Sequence, residues 1–598
     1  MFRENTSHRQ GRLFSILDEL PEEARKVLEK SWAVPFYEEV FCRIDEKDFA
    51  VLYSENASRP NVAVNVLVCL EILKYGSGWT DEEMYHNYLL DLAVRLALGY
   101  VDLKDGYFSI RTIYNFRDAL CKHMEKTGEN LFDRAFEKIT DEQLKAFGLK
   151  TDKQRTDSTQ VMSNIRKYSR ISLLVEVLRR VNRMLSVTDQ EKYASLLAPY
   201  IKGGTDHYVY GLKSSEYARH LGTIGKVMHR LVSELAPSYG DDEIYSILQR
   251  AFDDHFRVED GEAQLIPSSE VKADSLQSPD DLEATYRKKH GKSYRGYVAN
   301  ATETSNPEND FQLITKIQTE SNVTDDAAML IDAIPNLAER TDIDNCQSDG
   351  GYNSPELDPL LEAYEITHVQ TAIRGGQPDP NQVTVDDFSF EFNQDGLPIQ
   401  ATCPQGQTIP LEPSQADDRF IGHPDSVVCG TCHLFPNCKV RPRGNQRSPA
   451  LYLTKRQILL ACKRQALRNL PQSERNLRPP IESAMHSLKN PFRQRKVLLR
   501  GKFRVSCALI GSAFMTNLRR IHRHLQRKSV QPTPTAPATP ALAQNAINMP
   551  LFSRFRPQDS LFTPLHSHWL ALSALRQISH LSACFTNYPL QQHHLVSG

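Results

Sequence analysis

KTDKQRTDSTQV, residues 150–161, interrupts a helical pattern and reads as one extended strand, with Asp157 between the hydroxyl residues Thr156, Ser158 and Thr159. Upstream, residues 10–147 place apolar side chains at helical spacing, as in NVAVNVLVCLEIL and MYHNYLLDLAVRLAL. Thr80 followed by Glu83 is a capping box that starts the second of these. Ser109 starts a further helix able to present Arg111, Asn115 and Arg117, either as a helix-turn-helix or as an ordinary wet face. Downstream, residues 165–290 are helical again, with Leu174, Leu178, Val181 and Leu185 on one stripe. SYRGYVANATETS and FQLITKIQTES then form a hairpin around the turn-rich SNPEND. A helix (AAMLIDAIPNLAER) follows, and a short strand ends at Asp349 before Gly350 and Gly351.

These patterns predict a multidomain α/β protein. Its units are helical residues 1–147, a first strand at 148–164, a helical insertion at 165–290, the continued mixed sheet at 291–375, a turn-rich and strand-poor cysteine segment at 376–450, basic helices at 451–528, a Pro-rich linker at 529–547 and a tail at 548–598 expected to be disordered. No apolar run approaches the roughly 20 residues needed to span a bilayer, and mean hydropathy is -0.47. No membrane role is expected, and the first ten residues lack a secretory signal, which predicts a reducing cytoplasm.

The net charge of -2 conceals a strong asymmetry. Residues 439–528 hold twenty-three Lys and Arg against Glu474 and Glu482 alone, a net of +21. Such density favours a polyanion over a small-molecule substrate.

With 74 Asp and Glu, composition selects no catalytic acid. Context nominates Asp157 in its strand, Asp349 at a strand end, and Glu482 two residues after Pro480, whose fixed φ suits a first helical turn. A carboxylate there faces the positive helix end. Lys489 returns to nearly the same face seven residues later. On spacing alone, a structural glutamate and a solvated lysine are the favoured reading of that pair.

TDSTQV, SDGGYNS and RNLRPPIESAMHSLK, in this order, resemble the three catalytic blocks of bacterial insertion-sequence DDE transposases with an RNase H-like core. SPDDLEATYRKKHGKSYRGYVANATET, and WTDEEMYHNYLLDLAVRLALGY with TIYNFRDAL, resemble one subgroup that has a helical N-terminal DNA-binding domain. The resemblance spans about residues 30–525. It implies a triad of Asp157, Asp349 and Glu482 holding two Mg²⁺ (or Mn²⁺), and DNA contacts from Arg475, Arg478 and Lys489, with Arg111 and Arg117 as N-terminal candidates. The signature Tyr-x2-Arg-x3-Glu-x6-Lys is matched at Arg478, Glu482 and Lys489, but Arg475 stands at the tyrosine position. Gln160 and Tyr352 fall near the site by sequence without a role. The implied chemistry is hydrolysis at the element ends and joining of the freed 3′-hydroxyls to target DNA, by a homodimer on DNA at the bacterial nucleoid. A catalytically silent DNA-binding descendant and an RNase H-like nuclease without strand transfer are the rival readings.

Cys403, Cys429, Cys432 and Cys438 fall in the turn-rich segment as C-x25-C-x2-C-x5-C. The C-x2-C pair suits a structural Zn²⁺ in a small zinc-ribbon-like insertion, with His423 or His433 as substitute ligands. A cluster of reduced, metal-free thiols is the alternative. The other seven cysteines are scattered and read as small buried residues.

Overall fold

The structure, a computed structural model, describes residues 1–9, 19–54, 56, 60–100, 102, 104–289, 291–371, 379, 381–414, 418–442, 448–475 and 477–530. From residue 531 onward the linker and tail lie outside the described residues, as do residues 372–378.

Among the described residues, seven α-helices come first: α1 (Glu22–Glu29), α2 (Ala33–Glu39), α3 (Val64–Ser77), α4 (Asp81–Leu90), α5 (Leu92–Ala97), α6 (Ile110–Thr127) and α7 (Leu131–Ala146). Their starts follow local chemistry. Thr80 and Glu83 form the expected capping box of α4, and Ser109 caps α6 by accepting from the Arg111 N–H. α3 is buried on nearly every side, as a helix apolar all round must be.

β1 (Lys153–Met162) leads into the helical insertion of α8 (Arg170–Met184), α9 (Val187–Ile201), α10 (Thr205–Tyr210), α11 (Tyr217–Tyr239) and α12 (Glu243–His255), which ends in a hairpin of β2 (Phe256–Glu259) and β3 (Glu262–Leu265). Leu174, Leu178, Val181 and Leu185 all enter the insertion's own core. The chain then returns through β4 (Thr285–Lys289), β5 (Lys292–Thr304) and β6 (Ile314–Ser321) to α13 (Asp326–Arg340), β7 (Asn345–Ser348), α14 (Leu357–Ala363) and β8 (Thr367–Gln370).

These strands make one mixed sheet with β1 in the middle. β5 runs antiparallel to β1, from Gln154 opposite Thr304 to Met162 opposite Gly296. β7 lies parallel on the other side, with Arg155 level with Gln347, and β8 lies parallel beyond it. β6 pairs with β5 from Tyr297 inward and β4 pairs with its outer end up to Gly296.

Side chains on a strand alternate between faces, so the two faces of this sheet bury different partners. Val161, Tyr297, Ala299 and Ala301 join the N-terminal helices and the C-terminal helices α18 (Ile481–Lys489) and α19 (Lys502–Val530) in one core. Cys346 on the opposite face packs with α13 and α14. α3 crosses α19 very closely: a Cβ at Gly76 would lie 2.0 Å from Met515 Cγ, and one at Gly511 would lie 2.9 Å from Tyr75 Cβ.

Between β8 and α18 the cysteine segment is richer in strands than its sequence predicts. β9 (Ser389–Phe392), β10 (Pro398–Thr402), β11 (Thr408–Pro413), β12 (Arg419–Gly422), β13 (Arg441–Pro442) and β14 (Pro449–Thr454) form an antiparallel sheet, with α15 (Ser426–Thr431) in a connection. The strands are two to six residues long, and prolines sit in β10, β11, β13 and β14. So few alternating positions give little period to read. α16 (Lys455–Asn469) and the one-turn α17 (Gln472–Arg475) lead on to α18. Among the described residues, no helix is long and apolar enough to cross a membrane.

α7 docks on the sheet through charge as well as packing. Glu137 receives Lys316 at 2.8 Å and Arg340 at 3.2 Å, and Asp141 receives Arg340 at 2.7 Å. Asp133, one turn earlier, has a buried Oδ1 with no hydrogen-bond partner. Burial, reinforced by Glu137, pushes its carboxyl up to about 7 against the pull of Lys316 and Arg340. An acid whose pKa is higher folded than unfolded is bound to its proton more firmly in the native state, so stability is full below the unfolded value near 4 and declines as pH rises toward 7. Asp133→Asn is expected to remove a slope of about 1.4 kcal/mol per pH unit over that window, measured as urea stability at pH 4.5 and 7; an unchanged slope would refute the assignment.

Candidate active site

β1 organises the site through alternate residues. Arg155, Asp157 and Thr159 share the face toward α18, and each takes hold of that segment. Arg155 Nη1 donates to the Leu477 carbonyl at 2.6 Å. Arg478 Nη2 donates to Asp157 Oδ2 at 2.8 Å. Lys489 Nζ donates to Thr159 Oγ1. One strand therefore fixes both ends of the segment that carries Glu482.

Asp349 follows the last residue of β7, and the β1–β7 register carried on by two residues sets it beside Asp157. Its Oδ1 accepts from the Gly351 N–H at 2.7 Å, which closes the Gly350–Tyr352 turn. Glu482 lies in the first turn of α18, where the positive helix end favours its charge.

The three carboxylates converge on one guanidinium. Arg478 lies 2.8 Å from Asp157, 4.0 Å from Asp349 and 3.6 Å from Glu482. The carboxylates differ in exposure, at 14%, 38% and 69% of the side chain, so the cluster is deep at Asp157 and open at Glu482. Burial raises Asp157 to about 6, opposed by Arg478 and the Ser158 N–H and reinforced by Asp349. Lys489 is pushed down by burial and by the charges of Arg495 and Lys289, while Asp157 pulls it up.

Two groups here escape sequence reading. Asp326, 3% exposed at the start of α13, accepts from Ser158 Oγ at 2.7 Å, so a fourth acid braces the strand beside Asp157 from the opposite face. Lys289, at the tip of β4, acts on both Asp157 and Lys489. The basic run RKKHGK between two strand patterns is the signal that would have found it.

Other expected residues sit elsewhere. Arg111 is exposed at the start of α6. Arg117 is tied to Glu71 at 2.8 Å and Asp81 at 2.6 Å, a structural role. Both line a 380 Å³ cavity among α3, α6 and α19, apart from the carboxylates. Arg475 ends α17, and its side chain lies outside the described residues. Tyr352 is fully buried under the sheet and donates to Asn300 Oδ1 at 2.6 Å. Gln160 has a buried Oε1 with no partner.

The four clustered cysteines and His433 line one 260 Å³ cavity in the antiparallel module. Burial and the neighbouring thiols raise Cys429 and Cys438, while the Lys439 and Val440 N–H groups turn toward the Cys438 sulfur and oppose that rise. Among the described residues no group of three or more His, Cys, Asp or Glu is already closed to metal-holding geometry. The donor chemistry nevertheless separates into two kinds: hard carboxylate oxygens around a cation at Arg478, and soft thiols around a cavity.

Residues 402–522 match the family model described as Transposase DDE domain. The matched segment holds Arg478, Glu482, Lys489 and all four clustered cysteines; Asp157 and Asp349 lie before it. No curated protein and no solved structure matches the chain. The segment that β1 grips at Leu477, Arg478 and Lys489 thus lies within the stretch that is similar to the Transposase DDE domain family.

Proposed function

We propose that this chain binds the ends of an insertion sequence, frees their 3′-hydroxyls by hydrolysis and joins them to target DNA, with Asp157, Asp349 and Glu482 as its metal-holding acids on an RNase H-like sheet. The observation that carries this reading is the meeting of three carboxylates from β1, the end of β7 and α18 at one cation, Arg478. The sheet supports it, with a long central strand, antiparallel neighbours on one side and parallel ones on the other.

The carboxylates fit Mg²⁺ or Mn²⁺ by donor type, because a cation already occupies their centre and hard oxygens surround it. Two such ions would supply stabilisation for the attacking and leaving oxygens of an in-line displacement. The protein's own cations do the positioning. Lys489, held by Thr159, and Lys289 on the facing hairpin are placed for a phosphate, and Arg478 can exchange its carboxylates for phosphate oxygens. In the first step a water oxygen bonds to phosphorus as the P–O3′ bond breaks. In the second the freed 3′-hydroxyl attacks a target phosphodiester and a target 3′-oxygen leaves. Neither step needs a covalent enzyme intermediate.

The helical residues 1–147 and the basic stretch 451–528 supply the remaining DNA contacts in this reading, including Arg475, Arg111 and Arg478. Two ends must be brought together, so the working unit is a homodimer on DNA, acting at the nucleoid in the cytoplasm. In the antiparallel module, Cys403, Cys429, Cys432 and Cys438 would hold a structural Zn²⁺, tying the turn after β10 to α15 and the loop that follows it; four thiolates would leave no open position for catalysis.

Two measurements test these assignments. Wild type with Mg²⁺ is expected to nick and join DNA carrying the element's own ends, whereas Asp349→Ala and Glu482→Gln bind that DNA but lose about a hundredfold or more of both activities. Active variants would dismiss the triad, and a wild type that binds without cutting would leave a silent DNA-binding protein. For zinc, elemental analysis is expected to give one Zn²⁺ per wild-type chain and a clear loss in Cys432→Ser, with chelation lowering the wild-type Tm toward that of the variant; a metal-free wild type of unchanged Tm would establish reduced thiols instead.

A further inference from the structure

Between the helical insertion and the β4–β5 hairpin lies a 350 Å³ cavity whose lining includes Arg170, His255, Lys272, Tyr286 and Arg295. Among the described residues no Asp or Glu lines it. Three buried nitrogens in its lining have no hydrogen-bond partner. His255 is 4% exposed, and neither ring nitrogen has a hydrogen-bond partner. Arg170 Nη2 donates to the His255 carbonyl at 2.8 Å, but its buried Nε has no partner. Burial lowers both Arg170 and Arg295, and no carboxylate counters it at either one.

Buried donors and half-buried cations without acceptors are costly, and a protein interior normally pairs them. The group missing from this cavity is therefore an anion with several acceptor oxygens. Its surroundings select the kind. Tyr286 and Arg295 are cross-strand partners, and Lys288 with Ser293 is the next pair on that face of the hairpin. Lys289 points to the opposite face, where it acts on Asp157 and Lys489. The hairpin thus carries cations toward the catalytic carboxylates on one side and toward the cavity on the other. A chain of phosphates crossing it engages both faces, whereas a lone carboxylate engages one.

We propose that the cavity formed by Arg170, His255, Lys272 and Arg295 is a phosphate-binding site that receives a phosphodiester of the DNA lying on the basic hairpin. The identity of the anion as DNA rests on the transposase reading; its phosphate chemistry does not. Arg295 and Lys272 supply charge, the imidazole N–H and the free Arg170 Nε–H supply direction, and the helical insertion becomes a second grip on DNA beside the site of cutting.

The test uses the full chain and its affinity for a duplex of arbitrary sequence as a function of salt, for wild type, Arg295→Gln, Lys272→Gln and the double variant. Losing a phosphate contact makes the slope of log K against log salt shallower by about 0.9. The expected result is a shallower slope for each single variant and a larger change for the double variant, with circular dichroism unchanged. Lys272 is exposed, so Lys272→Gln keeps the test sound even if Arg295→Gln misfolds. Unchanged slopes would overturn the proposal. Titration with inorganic phosphate, followed by ³¹P resonance, separates the sources: phosphate binding lost in the variants while their DNA slopes match wild type would assign the cavity to a free phosphate ester and overturn the DNA assignment. Nicking with Mg²⁺ is scored on the same samples. A wild type that never nicks but has altered slopes in its variants would keep the site and remove the transposase reading; one that nicks with unaltered slopes would do the reverse.

Discussion

Glu303 is wholly buried in β5, and two guanidiniums meet it, Arg155 of β1 at 2.7 Å and Arg520 of α19 at 2.6 Å. A carboxylate in that setting has to be paired, because desolvation without a partner costs more than most contacts return. The pairing ties together three elements distant in sequence. It also leaves one Arg155 nitrogen free for the Leu477 carbonyl, so the place of the glutamate-bearing helix is set by the same buried charge. The carboxylates of the candidate site are therefore aligned by an ion cluster that none of them belongs to.

That arrangement explains why the carboxylates can stand so close together. Asp157 is deep enough for burial to raise its pKa, and Asp349 raises it further. Like charges at this spacing need a cation among them, and Arg478 is that cation.

Much of this was legible in the sequence because it is local. A capping box states its own register, so α4 could be started at Thr80 from four letters, and the stripe of Leu174, Leu178, Val181 and Leu185 declared its core. The strand at 150–161 stood out because helical spacing stops there. What escaped was long-range or short-lived along the chain. Six strands of two to six residues, several with proline, give no usable period, so the antiparallel module read as turns. Arg478 could be matched to a motif, but its place between three carboxylates depends on elements more than a hundred residues away. Asp326 looked like any residue at a helix start. Arg117, read from one helix, looked available to DNA until Glu71 and Asp81 came alongside it from two others. RNLRPPIESAMHSLK was informative because its order with two other blocks, not its own spacing, distinguished it.

Gly296 marks the point where β5 changes partners, from β4 along its outer end to β6 along its inner end. Its φ of 139° suits glycine, and a Cβ there would lie 2.5 Å from the Val161 carbonyl and 2.7 Å from the Ser163 nitrogen. The hairpin consequently leaves the sheet at a bare backbone-to-backbone contact. Its reach is a property of the main chain, and its charge is a property of side chains several residues away. Form and charge can then be inherited separately: drift in the lysines and arginines of 287–295 can change the charge the hairpin carries without moving it relative to the acids.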